Sequence, residues 1–213
     1  MKKILLSLGA AVLLATGAQA QSGLGYGIKA GVNFPSYSYG NSSDLSDTKS
    51  TTNFHVTGYL DAPVTSNFYI QPGVSLQGKG AKLIESDALG GSEVSQNTMW
   101  LEVPVNFVGK FPAGSGNFFV GAGPYIGFGL SGKNKYSVRE GSNVTEREFK
   151  FGKDETLKGT DFGVNFLAGY KLGNGLLINA GYGLGLTNIA GDANGWSDNI
   201  KNRVWTVGIG FEL

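Results

Sequence analysis

The chain has 213 residues, 35 of them glycine, with 12% aromatics, no cysteine and a formal charge of +1. That length fits one domain, the missing cysteine excludes a disulfide framework, and the balanced charge excludes the basic footprint of a nucleic-acid partner.

The first twenty residues, MKKILLSLGAAVLLATGAQA, place Lys2 and Lys3 ahead of an apolar run from Ile4 to Ala15 and end in Ala18-Gln19-Ala20. This layout predicts a cleaved secretory signal peptide over 1–20. The run is too short to cross a bilayer as a helix. The remaining domain, 21–213, begins at Gln21, has a formal charge of −1 and offers no N-terminal cysteine for a lipid anchor.

Along the rest of the chain, apolar and polar residues alternate with period two. The alternation marks eight segments near 23–34, 52–62, 67–79, 98–111, 118–131, 160–172, 175–187 and 202–213. Each is longer than the roughly 5–6 residues usual for a soluble strand and reaches the roughly 9–11 that cross a bilayer at a tilt. Between them, 63–66, 112–117 and 173–174 are short, while 35–51, 80–97, 132–159 and 188–201 are long and polar. Short turns at one end and long loops at the other predict an all-β fold: an eight-stranded antiparallel up-and-down transmembrane β-barrel, with short turns in the periplasm and long loops outside.

The fifth segment contains GFGLSG, Gly127 to Gly132, with the G-x-G-x-x-G spacing of a dinucleotide-binding turn. That turn needs a helix opening at its last glycine. Alternation instead runs through FFVGAGPYIGFGLSGK, and KNKYSVREGSNVTEREFK after it has no stripe at helical spacing. These glycines belong to one face of a strand.

One parity of the segments is apolar, as in Tyr26, Ile28 and Val32, in Phe162, Val164 and Phe166, and in Trp205, Val207, Ile209 and Phe211. The other is glycine, asparagine, small hydroxyls and single charges. Glycine shields nothing from water, and an eight-stranded lumen is only just wide enough for side chains. The apolar face is therefore assigned to lipid and the glycine face to the lumen. Phe34, Phe54, Phe162 and Trp205 at one rim, and Tyr26, Phe68, Phe111, Tyr170 and Phe211 at the other, suit interfacial girdles. Pro72, Pro104 and Pro124 fall inside strands, where each removes a ladder donor, so bulges are expected there, with a possible slip of parity.

Parity assigns eight charges to the lumen: Lys29, Asp61, Lys79, Glu102, Lys110, Asp161, Lys171 and Glu212. Asp61, Lys110, Lys171 and Glu212 fall near the periplasmic end, and Lys79, Glu102 and Asp161 nearer the outside. Four of each sign predict a self-neutralising polar plug, since buried charges are tolerated when paired. A selective pore would carry a ring of one sign. The single histidine, His55, shares the lumen parity with Thr57 and Tyr59 but has no identifiable serine and carboxylate partners, so no catalytic residue is assigned. Asp44, Asp47, Asp192 and Asp198 do not match a calcium loop, and the sequence calls for no metal or cofactor. Asn143-Val144-Thr145 matches a glycosylation acceptor pattern, a match that carries little weight in a bacterial exported chain. In 132–159, alternation on both sides of EGSN is read as a hairpin above the membrane with Phe149 and Phe151 on one face, an edge able to pair with a partner strand; the alternative, favoured over it, is a solvated loop with no partner.

Several stretches carry a family resemblance: YIQPGVSLQGKG (Tyr69 to Gly80), WLEVPVNFVGKF (Trp100 to Phe111), VGAGPYIGFGLSGK (Val120 to Lys133), YGLGLTNI (Tyr182 to Ile189) and NRVWTVGIGFEL (Asn202 to Leu213). In their order and spacing the chain resembles the PorT-like outer-membrane β-barrels of Bacteroidota, OmpA- or OmpX-like eight-stranded barrels, over essentially all of 21–213. The resemblance implies an outer-membrane location, an eight-stranded barrel and a tolerance of mid-strand proline. It implies no reaction. Barrels recognised by the assembly machinery usually end in an aromatic; here Leu213 is last and Phe211 lies two residues earlier on the same face, a weakened signal in the C-terminal strand. The expected protein is a monomeric, non-catalytic barrel, in contact with outer-membrane lipid and the assembly machinery, with a structural or surface-interaction role through its loops. The rival expectations are a narrow channel for water, ions or small solutes, an accessory barrel of a secretion system, and a lipid A-modifying enzyme centred on His55.

Overall fold

The computed structural model describes residues 23–40, 48–86, 92–137, 144–192 and 199–213. The predicted signal peptide, Asp44, Asp47, Asn143 and Asp198 lie outside the described residues. Among the described residues, nine strands form one antiparallel sheet: β1 (Gly25–Gly40), β2 (Asn53–Pro63), β3 (Phe68–Ser86), β4 (Ser92–Ala113), β5 (Gly116–Ser137), β6 (Val144–Phe149), β7 (Thr160–Lys171), β8 (Leu176–Gly185) and β9 (Asn199–Glu212). Their order is β4-β3-β2-β1-β9-β8-β7-β5-β6, and a further β4–β5 pairing closes the sheet on itself. Eight strands therefore make the ring. The ninth, β6, pairs with β5 alone, Gly132 with Phe149 through to Ser137 with Val144. Chain-adjacent strands pair around the ring, and β1 meets β9 from Gly27↔Glu212 to Gly40↔Asn199. Closure removes the free edges that an open sheet would present.

The short turns stand where the sequence puts them. The far end differs: β3, β4 and β5 run 19, 22 and 22 residues, about twice the roughly 9–11 that a bilayer requires. Most of the loop expected over 80–97 is thus strand, since Ala81 to Ser86 pairs with Gln96 to Ser92. The polar alternation there resembles a loop in composition, but each strand has a partner on the neighbouring segment. Gly80 makes the departure possible: its φ is +134°, and a Cβ there would run into the Gln96 carbonyl oxygen.

Polarity is inverted relative to a soluble protein. Ile28, Phe107, Ile178 and Ile209 are each more than half exposed on the outer face, while Asn33, Ser75, Lys79, Glu102 and Asp161 are at most 2% exposed inside. With a water-filled exterior this arrangement would forfeit most of the apolar burial that drives folding; with lipid outside it is the expected one.

Pro72, Pro104 and Pro124 do not carry the expected bulges. Register is the same on both sides of each, and the ladder merely skips two pairs nearby: Leu60–Asp61 against Gln71–Pro72, Gly73–Val74 against Val103–Pro104, and Val105–Asn106 against Gly123–Pro124. A missing N–H deletes one hydrogen bond, and in a closed ladder the flanking bonds hold the phase. The register shifts lie instead between Lys82 and Ile84 and between Met99 and Trp100.

Two apolar clusters sit within the ring, which the reading of a purely glycine-and-polar lumen does not anticipate. Val108, Phe119 and Leu177 pack near the short-turn end, with Tyr69 and Leu167 against them. Tyr37, Ala81, Trp100, Leu157, Ile189, Ala190 and Ile200 form a larger core at the other end, backed by Tyr39, Leu83, Phe149 and Phe151. The connection after β6 turns inward to build it: Leu157 bridges to Phe151 and to Ala190, and Lys158 and Gly191 tie the two long connections by backbone hydrogen bonds to Ile189 and Thr156.

Candidate functional site

The structure brings seven of the eight predicted lumen charges into two clusters. At the short-turn end, Lys110 of β4 donates at 2.6 Å to both Asp61 of β2 and Glu212 of β9. Lys171 of β7 reaches the same Glu212 oxygen at 2.5 Å, and Tyr59 donates to its other oxygen at 3.0 Å. Gln71 completes Asp61 at 2.8 Å, and the Lys110 ammonium stands 4.3 Å from the centre of the Tyr69 ring. Strands that never touch in the ladder, β4 and β9, are joined here across the lumen.

Toward the other end, Lys79 of β3 stands 2.5 Å from Glu102 of β4 and 2.9 Å from Asp161 of β7. Asp161 also accepts from Tyr125 at 3.0 Å, Asn202 at 2.8 Å and Thr187 at 3.0 Å. Glu102 pairs in register with Gly127, and Gly127 with Asp161. The first glycine of GFGLSG thus stands between the two carboxylates in one rung, with Glu102 and Trp100 beside it. Lys79 also lies over the Tyr125 ring, 4.6 Å from its centre. Lone charges in such a place would cost several kcal/mol each; here each carboxylate contacts a cation, and Asp161 has three further donors.

Tyr59, Gln71, Tyr125, Thr187 and Asn202 are the partners that sequence reasoning did not assign. Tyr59, Gln71, Tyr125 and Asn202 share the lumen parity of the charges, and that is the signal by which they could have been found. Thr187 lies beyond β8, yet as the last residue of the segment read over 175–187 it carries that parity too.

Between the clusters lies a cavity of about 70 Å³, whose lining includes Lys29, His55, Glu102, Asn106, Asn165 and Asn179. Asn33 uses its amide nitrogen on three acceptors, the Gln77 side chain at 2.8 Å and the carbonyls of Gly78 and Phe54 at 2.9 and 3.3 Å. Its Oδ1 is then the acceptor for His55 Nδ1 at 2.6 Å, which fixes the tautomer with Nε2 bare. The nearby hydroxyls of Thr57 and Ser75 bond each other at 2.6 Å. Among the described residues, no carboxylate and no hydroxyl is hydrogen-bonded to the imidazole.

Phe149 and Phe151 do share a face, as the alternation in 132–159 predicts, but that face turns inward. Phe151 meets the buried Trp100 edge-on with ring centres 4.9 Å apart, and Phe149 meets Phe151 at 5.8 Å. Gly129 and Gly132 make room for the two rings. What the β5–β6 hairpin shows to solvent is charged: Lys133, Lys135, Glu146, Arg147 and Glu148 are all exposed, with Lys133 3.8 and 3.4 Å from Glu146 and Glu148. Exposed pairs of this kind stabilise little.

No curated protein matches the chain. Solved structures similar to it include Ail, the attachment invasion locus protein of Yersinia pestis, at 13% identity and a TM-score of 0.45, covering 89% of this chain and 98% of that one; the neisserial surface protein A, NspA, at 9% and 0.45, covering 89% and 99%; and the N-terminal β-barrel domain of Pseudomonas aeruginosa OprF, at 10% and 0.36, covering 89% and 97%. The family described as the outer membrane protein beta-barrel domain matches residues 18–191, and the chain, a closed antiparallel ring with apolar residues outside and charges within, belongs to that family and to the outer membrane.

Proposed function

We propose that this protein is a closed, non-catalytic barrel of the PorT-like kind that holds a structured platform above the outer membrane for surface interaction. The observation that carries this reading is the double closure of the lumen. Cross-ring ion pairs fill it at Lys110 and at Lys79, and the Trp100–Leu157–Ile189 core caps its outer mouth. A barrel built for permeation would leave a continuous path lined by one sign of charge. The interacting surface is the charged exterior of the β5–β6 hairpin and the adjoining connections, because Phe149 and Phe151 are engaged in the cap.

The leader over 1–20 supports export before Gln21, and the C-terminal strand ending in Phe211-Glu212-Leu213 supports delivery to the assembly machinery. A monomer is consistent with a ring that closes within one chain. The engaged state of His55 is what supports a non-catalytic role.

The test is planar-bilayer conductance of the refolded protein. No steps above the lipid baseline are expected at voltages that leave control porins open. Reproducible unitary steps would replace this reading with the channel, and an intact lumen with blocked export of other proteins in a deletion strain would replace it with the secretion accessory.

A further inference from the structure

Lys29 differs from the other three lumen lysines. Lys79, Lys110 and Lys171 each stand 2.5–2.9 Å from a carboxylate. Among the described residues none stands within ion-pair distance of Lys29, whose ammonium rests over the Tyr59 ring, 4.6 Å from its centre. The acids of its own end of the lumen, Asp61 and Glu212, are engaged by Lys110 and Lys171. An ammonium at bilayer depth without an ion pair of its own is costly, and such a group is a candidate for a functional site.

Lys29 lines the central chamber, and so do Asn106 and Asn179. The Oδ1 atoms of both asparagines are buried without a hydrogen-bond partner, and Asn106 is only 7% exposed. An amide whose oxygen has no protein donor is not committed to one orientation, so its N–H groups are available to the chamber. The space itself is built by glycine. His55 pairs with Gly31, Gly31 with Gly208 and Gly208 with Asn179, so two residues without side chains separate His55 from Asn179 around the wall. At roughly 10–15 Å³ for each water, a chamber of about 70 Å³ holds about five waters. That is room for a monatomic ion with part of its shell, and too little for a sugar or a nucleotide.

We propose that the central chamber binds one small monovalent anion of halide size, held by the Lys29 ammonium and the amide groups of Asn106 and Asn179. The ion supplies Lys29 with the ion-pair partner that Lys110 and Lys171 take up at Asp61 and Glu212.

The probe is chloride itself, followed by its NMR line width during titration of the refolded protein in dodecyl maltoside micelles, with gluconate as the reference anion. The wild type gives a saturable broadening that bromide displaces. Lys29→Met, and independently Asn179→Leu, which fills the chamber while keeping the lysine, weaken that binding about tenfold or more, the loss expected for a hydrogen bond to a charge. Ser66→Ala, on the exposed turn between β2 and β3, leaves it unchanged. The heat-dependent gel shift of each variant verifies that the ring has formed. Broadening in Lys29→Met equal to that of the wild type overturns the site, and so does a wild type with no saturable component, whose chamber then holds water alone.

Discussion

Replacing Lys79 with methionine tests the outer cluster most directly. The change keeps the length of the side chain and removes a cation that stands 2.5 Å from Glu102 and 2.9 Å from Asp161, both at most 2% exposed. Asp161 retains Tyr125, Asn202 and Thr187, so most of the damage falls on Glu102. Removing one partner of a buried pair costs about 3–5 kcal/mol because the other charge is left uncompensated. The three remaining bonds of Asp161 exist already and offset none of that. If the reasoning is correct, Glu102→Gln added to Lys79→Met restores most of the loss, since replacing both charges with neutral groups of like shape is close to neutral. The assay is reversible urea unfolding in lipid vesicles, followed by tryptophan fluorescence and by the mobility difference between boiled and unboiled protein. A Lys79→Met variant within about 1 kcal/mol of wild type, the ordinary size of a surface substitution or less, refutes the strut, as does a double variant no more stable than the single one.

Two further outcomes follow from backbone and core. Gly80→Ala forces a side chain into positive φ and against the Gln96 carbonyl; a loss of about 1–3 kcal/mol is expected, read as a lower midpoint in the same urea titration, and unchanged stability would mean that β3 does not make this departure. Leu157→Ala opens a cavity in the outer cap, where the residue is 1% exposed, and costs about 2–5 kcal/mol locally; limited proteolysis should cut the connections around Leu157 and Ile189 faster, while the gel shift of the ring stays as in the wild type.

Much of the barrel is legible in one dimension because a strand has period two and a lumen admits little. Parity alone put Lys110 and Glu102 inside, and the structure has both buried with their partners. It also told Gly127 to Gly132 apart from a nucleotide-binding turn. What parity misses is anything set by a third strand. Phe119 and Leu177 occupy lumen positions as apolar residues because they join Val108, from a third strand, in one buried cluster, and nothing in their own strands says so. Ala81 to Ser86 reads as polar loop until its partner strand is beside it. The prolines read as defects, yet the closed ladder holds their register.

The sequence by itself determined the strand period, the ring of alternating turns and loops, the face that meets lipid and the inventory of lumen charge, because all of these depend only on neighbours two residues apart. The tertiary structure alone decided which charges meet, that β6 stands outside the ring, that Phe149 and Phe151 close the mouth instead of offering it to a partner, and that Lys29 is left without a carboxylate. Those outcomes depend on shear and closure, which bring residues such as Lys110 and Glu212, about a hundred positions apart in the chain, within 2.6 Å across the lumen, and no local pattern encodes that distance.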